Sequence, residues 1–330
     1  MKTHSPYLYA GALLKTKEIE SLKGAEAEKL ISAPNLELAW QSLQDTFIGP
    51  YLNKADADHP QITSLKKSLD LVMVDTKKLL DNISPDKQLL DILWVKYDFH
   101  NLRVIIRGES LNLSDEKMEV LSSALGTHEF KKIKKIYDDR RLALLDPYLQ
   151  KAVTATENFT DSTEIGVAVN TFYFEKIKDL ASKSNYPFLK KFVEILIDSF
   201  NLQTSLRQIK IRQNNDKKIY ITGGQFAPEN LETEEAILNS FSKLGGETLW
   251  QEAIADYRQT GNHTLLRKTA EDYLNLFLKE EARLSFTPAK LFSHFNTRKR
   301  DVQAIQMIIS GKQAGLTEEE IRNNLRQLPN

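Results

Sequence analysis

The sequence predicts an all-α chain built from three related helical units, residues 1–112, 113–228 and 229–330. Three observations carry that prediction. Apolar residues recur at intervals of three and four through most of the chain, the period of a helix with one buried face. One amphipathic segment occurs three times, as WVKYDFHNLRVIIRG (94–108), ILIDSFNLQTSLRQ (195–208) and TRKRDVQAIQMIISG (297–311). A proline precedes each copy, at Pro85, Pro187 and Pro288. With Asp98, Asp198 and Asp301 in register, Asn101-Leu102-Arg103 aligns with Asn201-Leu202-Gln203 and with Ala304-Ile305-Gln306. The period of about 100 residues is longer than the roughly 20–50 of a solenoid repeat, so three small domains fit better than a continuous array.

In the first unit, Leu13, Leu14, Ile19, Leu22 and Leu30 give helical spacing between Tyr7 and Leu30. Asn35 is read as the N-cap of a short helix that ends near Gly49-Pro50. A polar loop follows to Pro60. Ile62, Leu65, Leu69, Val72, Met73, Leu79 and Leu80 mark the first arm of a hairpin. Ser84-Pro85 breaks that helix and starts the next, with Ser84 as cap and Pro85 at the first helical position. Gly108 is read as its left-handed terminator.

The second unit opens at Ser114, with Asp115 and Glu116 suited to a first helical turn. Two helices, to about Leu125 and from His128 to about Leu145, precede a long one capped by Asp161 or Ser162. Asn185-Tyr186-Pro187 turns the chain into the second marked helix, Phe188 to Arg212, apolar nearly all round. Ile219-Tyr220-Ile221 is the one short candidate for an extended piece. In the third unit, helices are expected over 232–243, 247–258, 264–283 and 289–310. Gly311 is read as a terminator, and Thr317 caps a last helix opening on three glutamates. The exits GESLNLS (108–114) and GKQAGLT (311–317) correspond.

Composition narrows the function. Lys plus Arg and Asp plus Glu both number 45, so the chain lacks the basic excess typical of a nucleic-acid binder. There is no cysteine, which removes disulfides and thiolate chemistry and fits a reducing cytoplasm. No signal pattern and no bilayer-length apolar run is present, so any membrane role is expected to be peripheral.

Chemical motifs are sparse. His128-Glu129 lacks the second histidine of a zincin, Gly311-Lys312 lacks the earlier glycine of a P-loop, and the six histidines form no metal spacing. No cofactor or catalytic set is expected. The cluster Lys131, Lys132, Lys134, Lys135, Arg140 and Arg141 is interrupted by Asp138 and Asp139 and reads as a solvated helix face. Asp98 and Asn101, three apart, share a helix face, and a buried Asn left unpaired costs about 1–3 kcal/mol. Recurrence as Asp198, Asn201 and Asp301 favours a structural hydrogen bond over a ligand site. Arg103 and Arg107 lie four apart, where like charges repel, so they call for an acidic partner within the chain or elsewhere in an assembly.

With these repeats assembled, the chain resembles the C subunits of the V/A-type rotary ATPases, relatives of the d subunit of the eukaryotic V-ATPase. The likeness lies in KLISAPNLELAWQSLQDTFIG (29–49), YDFHNLRVIIRG (97–108), ITGGQF (221–226) and DVQAIQMIISGKQAGLTEEEIRNNL (301–325). The chain departs from the family at Ala304-Ile305-Gln306 and at Asn170. The resemblance implies a pseudo-threefold funnel of three helical domains and a non-catalytic central-stalk role. It implies central-shaft subunits and the membrane rotor ring as partners, on the cytoplasmic face, without direct membrane insertion. Rim loops, including Gly223-Gly224, with Arg103 and Arg107 are the expected contacts. The alternative reading is a soluble helical scaffold or adaptor.

Overall fold

A computed structural model describes residues 6–52, 61–159, 161–211, 219–283 and 286–325. Among them the regular elements are all helical, with no strand. The chain divides into two compact units. One comprises Met1–Pro85 with Asn275–Asn330, the other Asp86–Leu274.

The first unit contains α1 (Leu8–Lys17), α2 (Gly24–Ile31), α3 (Leu36–Leu43) and α4 (Ile62–Ile83). From the far end of the chain come α14 (Ala289–Gln313) and α15 (Glu318–Asn324). Local chemistry sets several of these boundaries. The Asn35 side chain accepts from the Leu38 amide at 2.9 Å, and Thr317 and Glu320 form a reciprocal capping box. Helix α14 is the hub, packed by α1, α2, α3, α4 and α15. Its Leu291, Phe292, Ile305, Ile308 and Ile309 are 1% exposed or less. Burying each such side chain contributes about 1.5–3 kcal/mol, so the C-terminal helix and the N-terminal helices stabilise one another.

The second unit runs through α5 (Lys87–Ser110), α6 (Asp115–Leu121), α7 (Phe130–Asp138), α8 (Pro147–Thr156) and α9 (Ser162–Lys183). It continues with α10 (Pro187–Ile211), α11 (Glu234–Lys243), α12 (Glu247–Thr260) and α13 (Thr264–Glu281), whose last residues, from Asn275, fall in the first unit. Helix α9 packs on α5, α8 and α10. Farther along, Leu202, Leu206, Phe241, Trp250, Leu266 and Ala270 share one core.

Several local expectations are corrected. Asp86, not Ser84, caps α5: its carboxylate accepts from the Leu89 amide at 3.2 Å, while Ser84 closes α4. Gly108 and Gly311 do not terminate their helices but lie buried inside them. A Cβ at Gly108 would fall 2.2 Å from the Met118 sulfur, and one at Gly311 would fall 2.9 Å from Ile321. Each glycine thus lets the next short helix dock. The left-handed residues come four positions later, Asn112 (φ 51°) and Gly315 (φ 72°). At both exits an amide five residues on, Leu113 or Leu316, donates back to the glycine carbonyl.

The single helix expected over 128–145 is instead α7, a left-handed Arg140 (φ 54°) and a 3-10 turn at Leu142–Leu144. Helix α8, opened by Asp146 and Pro147, was not expected. The expected end of the α10 segment at Arg212 and residues 213–218 of the expected loop from Gln213 to Pro228 lie outside the described residues, as does most of the loop before Pro60.

Candidate functional site

The recurring aspartates each hold a backbone amide from another part of the chain, in two matching joints and a third variant. Asp98 on α5 is 2% exposed. It accepts from the Thr127 amide at 3.1 Å, the Thr127 hydroxyl at 2.6 Å and the His128 amide at 3.0 Å. Asp198 on α10 is 1% exposed and accepts from the Gln225 amide at 2.9 Å and the Phe226 amide at 3.4 Å. Asp301 on α14 is fully buried and accepts from the Leu22 amide at 3.2 Å. In the first two joints the chain segment received lies about a helical hairpin downstream. In the third it lies 279 residues upstream, at the N-terminus.

A second clasp accompanies the first two. Asn101 donates to the Ser123 carbonyl at 2.9 Å and accepts from the Ser123 amide at 2.8 Å. Asn201 does the same to Ile221, at 2.8 and 2.9 Å. Each asparagine thereby pairs both polar groups of one backbone residue, as a strand neighbour would. Ile219-Tyr220-Ile221 forms no strand; its last residue is held by Asn201 instead.

The third joint differs. Ala304 stands where the asparagine stood, and Arg298 takes over the fastening. Its Nη1 donates to the Glu20 carbonyl at 3.1 Å and lies 3.9 Å from Asp301, and its guanidinium stacks 4.1 Å over Phe47. Asp301 Oδ1 has no hydrogen bond among the described residues. Burial raises the pKa of all three carboxyls, opposed by the Thr127 hydroxyl and then the amides at Asp98, by the amides at Asp198 and chiefly by Arg298 at Asp301, which is pushed up to about 7.

Glycine makes the close approach possible. A Cβ at Gly126 would sit 2.3 Å from Asp98 Oδ1, and one at Gly224 would sit 2.2 Å from Asp198 Oδ1. Gly126 escaped the sequence reading. Its signal was a glycine immediately before the first amide bound by Asp98 and by Asp198. Gly223 has φ 106° and is exposed, whereas Gly224 is half-buried, so this expected contact loop is also the clamp on Asp198.

Among the described residues, Arg103 and Arg107 are not brought together with an acidic partner at ion-pair distance. Arg107 is exposed and donates to Ser162 Oγ at 2.6 Å. Arg103 is half-buried, its Nε has no partner among the described residues, and desolvation, then Arg107, lowers its pKa. On α7, Ile133 and Ile136 are buried while Lys134 binds Glu109 and Asp138 and Lys131 pairs with Glu119. Among the described residues no acidic or histidine cluster could hold a metal, and no helix is long and apolar enough to cross a membrane.

Comparisons with known proteins place the sequence in a family. The family model described as "ATP synthase (C/AC39) subunit" matches residues 10–324. The C subunit of the A-type ATP synthase of Methanocaldococcus jannaschii is 23% identical, covering 98% of this chain and 87% of the relative. The C subunit of the V-type sodium ATPase of Enterococcus hirae is 22% identical, covering 96% and 97%. The C subunit of the A-type ATP synthase of Pyrococcus horikoshii is 22% identical, covering 92% and 86%. Matched over nearly its whole length, the chain belongs to the ATP synthase (C/AC39) subunit family, the C subunits of V/A-type ATPases.

Proposed function

We propose that this chain is the non-catalytic central-stalk subunit of a V/A-type rotary ATPase, joining the central shaft to the membrane rotor ring and carrying torque between ATP turnover and ion transport. The family match over residues 10–324 carries the reading. The three joints support it. A torque-bearing part needs stiffness rather than a reactive pocket, and each joint fixes a loop to a buried helix through charge-assisted or paired hydrogen bonds. The third ties the two ends of the chain together, so that load on either end reaches α14 directly.

On this reading the chain works as three units, 1–112, 113–228 and 229–330, arranged as a pseudo-threefold funnel on the cytoplasmic face of the membrane. Arg103, Arg107 and the Gly223-Gly224 loop belong to its contact surfaces. The test is recovery of a tagged chain, at native level, from detergent-solubilised membranes. Shaft and ring subunits co-purify if the reading holds. A stable soluble complex free of every rotary ATPase component would replace it with the adaptor reading.

A further inference from the structure

The repeat makes one position stand out. Arg207 follows Asp198 by nine residues, as Arg107 follows Asp98. In the earlier copy Arg107 reaches the start of α9, where Ser162 accepts its hydrogen bond and the Asp161 carboxylate caps the helix through the Thr163 and Glu164 amides. The pKa of Asp161 is lowered, by the Glu164 and Thr163 amides first and by Arg107 among the lesser causes. The guanidinium there thus has a hydrogen-bond acceptor within the chain, close to a lowered carboxylate. In the later copy Arg207 lines an open cleft of about 270 Å³ at the start of α13, and no carboxylate among the described residues lines it. The residue before that helix is His263 rather than an aspartate, and the Asn262 side chain accepts from the Thr264 amide. A second arginine, Arg267, lines the same cleft. Both arginines are exposed, and neither guanidinium has a hydrogen-bond or ion-pair partner among the described residues. Leu206, Phe241 and Leu266 give the cleft a buried apolar floor.

We infer that this cleft receives an acidic side chain, with its aliphatic stem, from another subunit of the rotary complex. The partner supplies an acceptor in the place that Ser162 takes for Arg107 one repeat earlier. Two guanidiniums on one cleft suit a planar carboxylate held by paired N–H donors, and the apolar floor suits the methylenes of a glutamate. The inference rests on the proposed function, because the occupant is a subunit of that assembly.

The test uses the assembled complex. A photo-crosslinking amino acid replaces Gln203, which also lines the cleft, and the cross-linked peptide is mapped by mass spectrometry. The expected product joins position 203 to a partner segment carrying Asp or Glu. Arg207→Glu with Arg267→Glu is expected to cut the yield about tenfold, the scale of one charge pair. Reversing the partner's acid to Lys should restore it, and Arg207→Lys with Arg267→Lys should retain much of it. Both arginines are exposed, so an unchanged melting curve of the isolated double variant separates lost docking from lost folding. The inference is overturned if the complex assembles and position 203 captures no partner, captures a segment without an acid, or is indifferent to charge reversal; the proposed function survives each of these results. A chain that never enters a rotary complex overturns both.

Discussion

Asn101→Ala and Asn201→Ala make the same chemical change at two repeats, yet the structure assigns them different costs. Each removes one donated and one accepted hydrogen bond, worth about 0.5–1.5 kcal/mol apiece. What is left behind differs. Ile221 is 4% exposed, so its amide and carbonyl lose their partners where water does not reach. A stranded buried group costs about 1–3 kcal/mol. Ser123 is half-buried, and solvent can replace Asn101. We expect about 3–5 kcal/mol for Asn201→Ala and about 2 kcal/mol for Asn101→Ala, from hydrogen-bond loss and desolvation together. Urea unfolding reads the totals. Amide hydrogen exchange reads the site itself, and the Ile221 amide should lose protection by at least about a hundredfold, or roughly 2.7 kcal/mol. If Asn201→Ala costs under about 1 kcal/mol, or no more than Asn101→Ala, then these asparagines are not holding the loops as described.

Further expectations follow from the other joints. Asp301 titrates near 7 in the folded chain because it is buried, against 3.8 ordinarily. A raised carboxyl binds its proton more tightly when folded, so its contribution to stability is complete below pH about 4 and is lost as pH rises to about 7. Asp301→Asn should therefore flatten the stability profile across that window, by up to about 4 kcal/mol, and be the more stable form at pH 8. A variant with the wild-type slope would show that Asp301 does not carry it. Gly224→Ala pushes a methyl against Asp198 and should lower stability by about 2 kcal/mol or more, whereas Gly24→Ala, with open space at its Cβ, should be near neutral in the same melting assay. Arg103→Met removes a half-buried charge with an unpartnered Nε and should leave the isolated chain as stable or stabilise it by about 1 kcal/mol. A marked loss would mean that the guanidinium holds the fold.

Much of this was legible because it is local. Asn35, Ser114, Asp161 and Thr317 cap helices through side chains that reach amides two or three residues on, and those residue types announce themselves. The repeat was legible because Asp98, Asp198 and Asp301 stand at the same position of three corresponding helices. What failed was chemistry decided by packing. Gly108 and Gly311 look like terminators until Met118 and Ile321 dock on them. Ser84-Pro85 looks like a cap until Asp86 is seen to reach Leu89. The bond from Leu22 to Asp301 has no local signature, since it joins opposite ends of the chain. Nor does sequence reveal that Arg298, aligned with Val95 and Ile195, replaces the missing asparagine at Ala304.

The central claim is that this chain turns with the rotor. The sequence contains no cysteine, so each one introduced is unique within it. Cysteine pairs placed to join the chain to the ring, to the shaft, or to a fixed part of the complex can be oxidised and compared by coupled ATP-driven ion transport. Locking the chain to ring or shaft should leave transport unchanged, and locking it to the fixed part should abolish it until the disulfide is reduced. Transport that stops when the chain is tied to the ring, or continues when it is tied to the fixed part, would contradict the account.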